Sequence, residues 1–194
     1  MAKNKAVIDS TEPKSPFQLR DILCEHIKTE TRLGKDIIFL CIGTDRSTGD
    51  SLGPLVGEKL KFLSRENVSV YGNLQYPVHA RNLIETIEKI HSTHNNPYII
   101  AIDASLGSLH NVGKIFVEDK PLTPGAAMNK DLPKIGDLSV TGIVNISGSL
   151  EFMVLQNTRL YTVMLLADVI SGGIYHSILK TIGGKKISSD QLFL

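Results

Sequence analysis

A chain of 194 residues, 42% hydrophobic and 21% charged, has the make-up of an ordinary globular protein of about one domain, long enough to bury a core without a disulfide or metal staple. A net charge of +1 offers no concentrated basic face, which argues against nucleic acid as a partner. Cys24 and Cys41 match no metal or redox spacing, and no run of about 18 uninterrupted apolar residues is present, so no cysteine-held metal and no membrane-spanning helix are expected.

Residues 1–16 are polar, contain Pro13 and Pro16, and lack an apolar core of the secretory kind. They read as a flexible leader on a cytoplasmic protein, with 17–194 forming a single α/β domain. Phe17–Thr31 places Leu19, Ile22, Leu23, Cys24 and Ile27 at helical rhythm and closes at Gly34. Ile37–Ile42 is a continuous apolar run, short and β-branched enough for a strand buried on both faces, with Cys41 as an inert buried thiol.

A polar loop then carries Asp45, Arg46 and Asp50 into a helix expected over Leu52–Arg65, with Ser51 able to cap it and Pro54 in its first turn. Val68–Tyr71 is a second short strand. The segment Tyr76–His79 leads to a helix over Arg81–His91, whose apolar stripe is Leu83, Ile84, Ile87 and Ile90. Asn95-Asn96-Pro97 breaks the chain before a third buried strand, Tyr98–Asp103, which ends in a carboxylate. Alternating strands and helices predict a mostly parallel central sheet with helices on both faces, a three-layer α/β sandwich.

The remainder is less regular. Gly113–Glu118 reads as an exposed or edge strand, and Ile143–Ile146 as a last short one. Residues 120–138, rich in proline and glycine, form a long loop; loops of that length commonly serve a site, and this one is a candidate substrate-gating flap. Leu150–Ile182 regains helical rhythm as two helices meeting near Thr158, with Gly172-Gly173 expected to weaken or kink the second and Asp168 facing solvent.

Ligands of open α/β sheets bind beyond the carboxyl ends of strands, where the strand order reverses. If the first three of these strands order as 2-1-3, the loop after the first and the end of the third share one crevice. Asp50 and Asp103 then meet. Two carboxyls in one cleft cannot both ionise cheaply, so one holds a proton while the other accepts one, an arrangement that activates water and protonates a leaving group. Each acid also has a plain structural role open to it: Asp50 at a helix entrance and Asp103 as a cap of the following turn. The loop lacks the glycine pattern of a nucleotide cradle, and an acid there repels an anion. Neither Ser47 nor Ser51 has a recognisable base. A metal held by the acids with His79 or His110 stays open, although the six histidines are scattered.

The segment Ile42-Gly43-Thr44-Asp45-Arg46-Ser47-Thr48-Gly49-Asp50-Ser51-Leu52-Gly53-Pro54-Leu55-Val56-Gly57 resembles the hallmark of the YyaC-type spore protease family. Pro77–Leu83, Ile102–Gly107, Val140–Asn145 and Glu151–Leu160 match it further, so the likeness spans roughly residues 36–180. More distantly the chain is similar to the germination protease of spore-forming bacteria, in which acids matching Asp50 and Asp103 are regarded as catalytic. It is similar also to the hydrogenase maturation endopeptidases, which share this kind of α/β sandwich. There the acids contact the nickel of the precursor, together with a histidine at the position of Thr141 here.

The resemblance implies a sporulation-associated endopeptidase in the forespore or mother cell, acting on peptide or protein substrates such as small acid-soluble spore proteins. It implies Asp50 and Asp103 as the catalytic pair, with Asp45, Arg46 and Thr141 as polar supports toward substrate. Thr141 in place of histidine argues against a three-ligand nickel site, and no metal or other cofactor is called for. A non-catalytic factor that binds a peptide or protein in the same cleft, and a metal-dependent hydrolase, are the alternatives.

Overall fold

The computed structural model describes residues 5–63, 65–123 and 134–183. Six strands form one sheet: β1 (Lys5–Asp9), β2 (Ile37–Cys41), β3 (Val68–Tyr71), β4 (Tyr98–Gly107), β5 (Lys114–Glu118) and β6 (Leu138–Ile146). Their spatial order is β1-β5-β6-β4-β2-β3. The β3-β2-β4 part is the 2-1-3 order on which the shared crevice depends, and β2, β3, β4 and β6 pair in parallel. Only β5 runs against its neighbours, pairing antiparallel with both β6 and β1.

The helices are α1 (Ser15–Arg32), α2 (Leu52–Lys59), α3 (Leu83–Thr93), α4 (Glu151–Gln156) and α5 (Leu160–Thr181). Period-two alternation in the strands sorts the core into two clusters. Ile37, Phe39, Cys41, Ile100, Ile102 and Val140 face α1, α2 and α5 through Leu19, Leu23, Leu52, Leu166 and Ile170. On the opposite face Ile38, Leu40, Ile99 and Ala101 meet Leu83 and Ile90 of α3. Burying β2 on both sides explains why its sequence is an unbroken apolar run. Cys41 is fully buried and its thiol is pushed up to about 12 by that burial, so it stays a neutral core group.

The expected flexible leader 1–16 contains a strand and the start of a helix. Lys5–Asp9 forms the edge strand β1, its register running from Lys5 opposite Glu118 to Asp9 opposite Lys114, and Ile8 enters the core at 3% exposure. Five residues alternate too briefly to announce a strand, and its stability comes from pairing with β5. In consequence β5 is an interior strand. β6 begins at Leu138, well before Ile143, and so takes in the last residue of the expected loop 120–138. The ends of that loop are tied by Leu122 and Ile135, which exchange backbone N–H···O bonds of 2.8 Å; the gating role expected of it falls on residues 124–133, outside the described residues.

α2 stops at Lys59 instead of continuing to Arg65, and a 3₁₀ turn, Gly49–Ser51, precedes it. Ser51 does not cap it: its hydroxyl donates to the Thr48 carbonyl at 2.6 Å. α4 and α5 meet at Thr158 as expected, but α5 runs through Gly172-Gly173 without interruption, because a bare Gly173 lets Leu19 of α1 approach to where a Cβ would lie 2.7 Å away. Asp168 is exposed and pairs with Lys59 at 2.7 Å. α5 is long and apolar enough to cross a membrane by length and composition, but it is the helix that fills this face of the core, burying Val163, Leu166, Ile170, Ile174 and Ile178.

Candidate active site

β2 delivers the chain to the carboxyl end of the sheet and stops. The Ile42 N–H donates to the Ile102 carbonyl of β4 at 2.8 Å, and the Gly43 N–H donates to the Val78 carbonyl on the other side at 2.8 Å. At Gly43 the backbone takes φ 140°, and a Cβ there would lie 2.0 Å from the Asp50 carbonyl oxygen. The loop needs glycine at that point to close on itself. It is then pinned by the Thr44 N–H, which donates to the Asp50 carbonyl at 3.0 Å. Asp50 is thereby fixed in the 3₁₀ turn at the mouth of α2, packed against β4.

Asp103 is the sixth residue of β4 and continues the row of Ile99 and Ala101 on the α3 face. It is 7% exposed, and its carboxylate accepts the Ala104 N–H at 2.8 Å. Burial pushes its carboxyl well above the ordinary range, the nearby charge of Asp50 pushes it further, and the Ala104 bond only partly opposes them. Asp50 is pushed up to about 6 by burial, against a lowering backbone hydrogen bond from Thr44. The two acids are 53 positions apart in the chain, yet the charge of Asp50 is felt at Asp103. Each has a backbone N–H partner, as a structural cap would, but in both the desolvation outweighs it.

Thr141 lies directly opposite Asp103 in the parallel β4–β6 register and is half-buried. Asp45 and Arg46 are different. Both are exposed, and neither side chain takes part in an ion pair among the described residues. Both charges are solvated on the turn, where an ion pair would contribute little. Only the Arg46 backbone is held, through its N–H to the Thr44 hydroxyl at 3.3 Å.

His110 is exposed and bonded to the Ser108 hydroxyl at 3.1 Å, so it does not join the acids. Among the described residues no group of three or more His, Cys, Asp or Glu is arranged to hold a metal ion. His79 adjoins Val78, the residue that accepts the Gly43 N–H, and its Nδ1 is buried without a partner, as is the Ser47 hydroxyl in the acid loop. A further support was not legible in the sequence. The Asn145 side-chain N–H donates to the Thr158 hydroxyl at 3.2 Å, and Thr158 and Leu155 close over Gly49, tying β6 and α4 to the acid loop.

Over 170 residues, 88% of this chain and 82% of the other, the sequence is 49% identical to a Bacillus subtilis (strain 168) protein described as "Uncharacterized protein YyaC". Among solved structures, the NiFe hydrogenase maturation protease HycI from Thermococcus kodakarensis KOD1 is similar with a TM-score of 0.35 and 18% identity, over 71% of this chain and 94% of that one. A hydrogenase 3 maturation protease is similar with a TM-score of 0.38 and 13% identity, over 70% of this chain and 86% of that one. The family model described as "Protein of unknown function (DUF1256)" matches residues 7–173, and the chain belongs to that family.

Proposed function

We propose that the protein is an endopeptidase whose water-activating pair is Asp50 and Asp103. The observation that supports this reading most is that a buried acid and a half-buried one from separate chain segments lie at one strand-end crevice, with the charge of Asp50 raising the proton affinity of Asp103. A pair so arranged holds a single proton near neutral pH, because releasing the second would leave two buried charges side by side. Asp50, at about 6, is the member that ionises first. Its carboxylate takes a proton from water as the oxygen adds to the peptide carbonyl. Asp103, still protonated, donates to the carbonyl oxygen to give a gem-diol; as the C–N bond breaks, the departing nitrogen receives the proton held by Asp50 and one gem-diol hydroxyl returns its proton to Asp103 as C=O re-forms, restoring both acids. Asp103 is the acid and Asp50 the base.

A sporulation setting and small acid-soluble spore proteins as substrates follow from the family resemblance, and a relative in Bacillus subtilis agrees with that setting. The test is to incubate the purified protein with these substrates and follow cleavage by mass spectrometry, alongside Asp50→Asn and Asp103→Asn variants shown by circular dichroism to be folded. Loss of cleavage in both variants is expected. Full activity in either folded variant would sink the reading.

The backbone N–H bond that each acid accepts favours a second reading, a cleft that binds a peptide or protein without cutting it. Stable capture of the same proteins by the wild-type chain, intact after long incubation, would decide for it. Activity lost to a chelator and restored by one divalent cation would instead point to a metal-dependent hydrolase.

A further inference from the structure

β4 is longer than its neighbour β2, and the difference lies at the acids. On the β2 side its pairing ends where the Ile102 carbonyl accepts the Ile42 N–H. On the β6 side it continues to Gly107, opposite Ile146. Ala104–Gly107 are thus strand residues with one flank open, inside the sheet and beyond the end of β2. Burial changes at the same point: Tyr98–Asp103 are buried and Ala104–Gly107 only partly so.

In a parallel ladder a residue directs its N–H and C=O toward the same neighbour, and the next residue directs both toward the other. Ile102 faces β2, so Ala104 and Leu106 face the open flank. Two of their four main-chain groups are occupied by adjacent side chains: the Ala104 N–H by the Asp103 carboxylate at 2.8 Å, and the Leu106 carbonyl by the Ser105 hydroxyl at 3.2 Å. Among the described residues, no backbone hydrogen bond from another segment reaches the Ala104 carbonyl or the Leu106 N–H on this flank. Short local bonds standing where ladder bonds belong are easily exchanged for those of an incoming strand.

We propose that this flank of β4 is where an extended segment of a polypeptide substrate pairs as an added strand, bringing its scissile peptide group to Asp50 and Asp103. The inference rests on the peptidase reading and adds the form in which substrate is taken. A single extended chain is the occupant that fits, because the flank offers main-chain donors and acceptors at strand spacing and no charged side chain from Ala104 to Gly107. Pairing displaces the Asp103 carboxylate from the Ala104 N–H and frees it for the substrate carbonyl.

The test separates docking from chemistry by using the Asp50→Asn protein. Peptides of 12 residues selected from a displayed random library on this protein are synthesised, and each backbone amide is N-methylated in turn. Methylation at every second residue is expected to weaken binding by roughly tenfold or more, with the intervening amides nearly indifferent. In the complex, amide exchange at Leu106, followed by NMR, is expected to slow by a similar factor. Leu106→Pro deletes the same donor from the protein side, and the peptide scan stands even if that variant does not fold.

Failure to select any peptide, methylation effects without a period of two, or unchanged Leu106 exchange would each overturn the inference. If the wild-type protein cleaves such peptides without that periodicity, the peptidase reading survives and the docking inference falls. If they bind with it and are never cleaved, the reverse holds.

Discussion

Asp103 on β4 stands directly opposite Thr141 on β6, and the same cross-strand row continues through Phe116 on β5 to Val7 on β1. A parallel pair at one register level keeps the two side chains on one face, about 4.8 Å apart at the backbone. The Thr141 hydroxyl is therefore the polar neighbour that β6 sets beside the buried acid. On the proposed peptidase reading it is a positioning group for Asp103. Thr141→Val is expected to lower kcat by roughly tenfold, about one neutral hydrogen bond, with KM little changed. Thr141→Ser restores most of the rate. Equal losses in both variants would assign Thr141 to packing instead.

The raised acids set a pH profile. Below about 6 Asp50 takes up a proton and ceases to accept one from water; the rate falls toward acid. The alkaline limb belongs to Asp103, whose proton is held well above the ordinary carboxylate range by burial and by Asp50. A bell-shaped kcat/KM profile is expected, its acidic limb near pH 6. A rate flat from pH 5 to pH 8, measured on a peptide without ionisable side chains, would contradict the assignment of the base.

The same shifts make the site a burden on stability. Below the unfolded carboxylate value of 3.8 both states carry the protons and the contribution is whole. As pH rises, the unfolded chain releases them first, so stability falls until the folded values are passed, about 6 for Asp50 and higher for Asp103. Asn at either position cannot ionise. Each variant is expected to exceed the parent by on the order of 1–3 kcal/mol near pH 7.5, and the gain to vanish below pH 4. Urea unfolding at the two pH values measures it. Variants less stable than the parent at pH 7.5 would mean that the ionised acids are net favourable.

How far the sequence revealed this arrangement depends on which forces were local. The apolar runs of β2 and β4 and the stripe of α3 carry their own periodicity, but alternating strands and helices leave the order of β3, β2 and β4 open. The meeting of Asp50 and Asp103 therefore rests, at the level of sequence, on supposing the 2-1-3 order that the sheet has. The edge strand β1 could not be found that way, because Lys5–Asp9 is stabilised by β5, more than 100 residues away. The contact of Asn145 with Thr158 and the closure of Leu155 over Gly49 are tertiary in the same sense.

The acid loop also predicts a difference between two glycines. Gly34, at the end of α1, has φ 74° with nothing within 4 Å of where a methyl group would stand, so alanine there meets only backbone strain. Gly34→Ala is expected to cost about 1 kcal/mol in urea unfolding and leave the site alone. Gly43, at φ 140°, adds a collision: its Cβ would lie 2.0 Å from the Asp50 carbonyl and 3.1 Å from the Pro54 ring. Backbone cannot yield there without pulling Asp50 away from Asp103. Gly43→Ala is expected to lose more than 100-fold in rate, since near 1 Å of misplacement in a reacting group costs about that much. The folded variant also has a lowered Asp103 pKa, read from the carboxyl 13C shift, because the repelling charge has withdrawn. Retained activity with an unshifted Asp103 would show that the loop tolerates the methyl and that Gly43 is not what holds Asp50 in place.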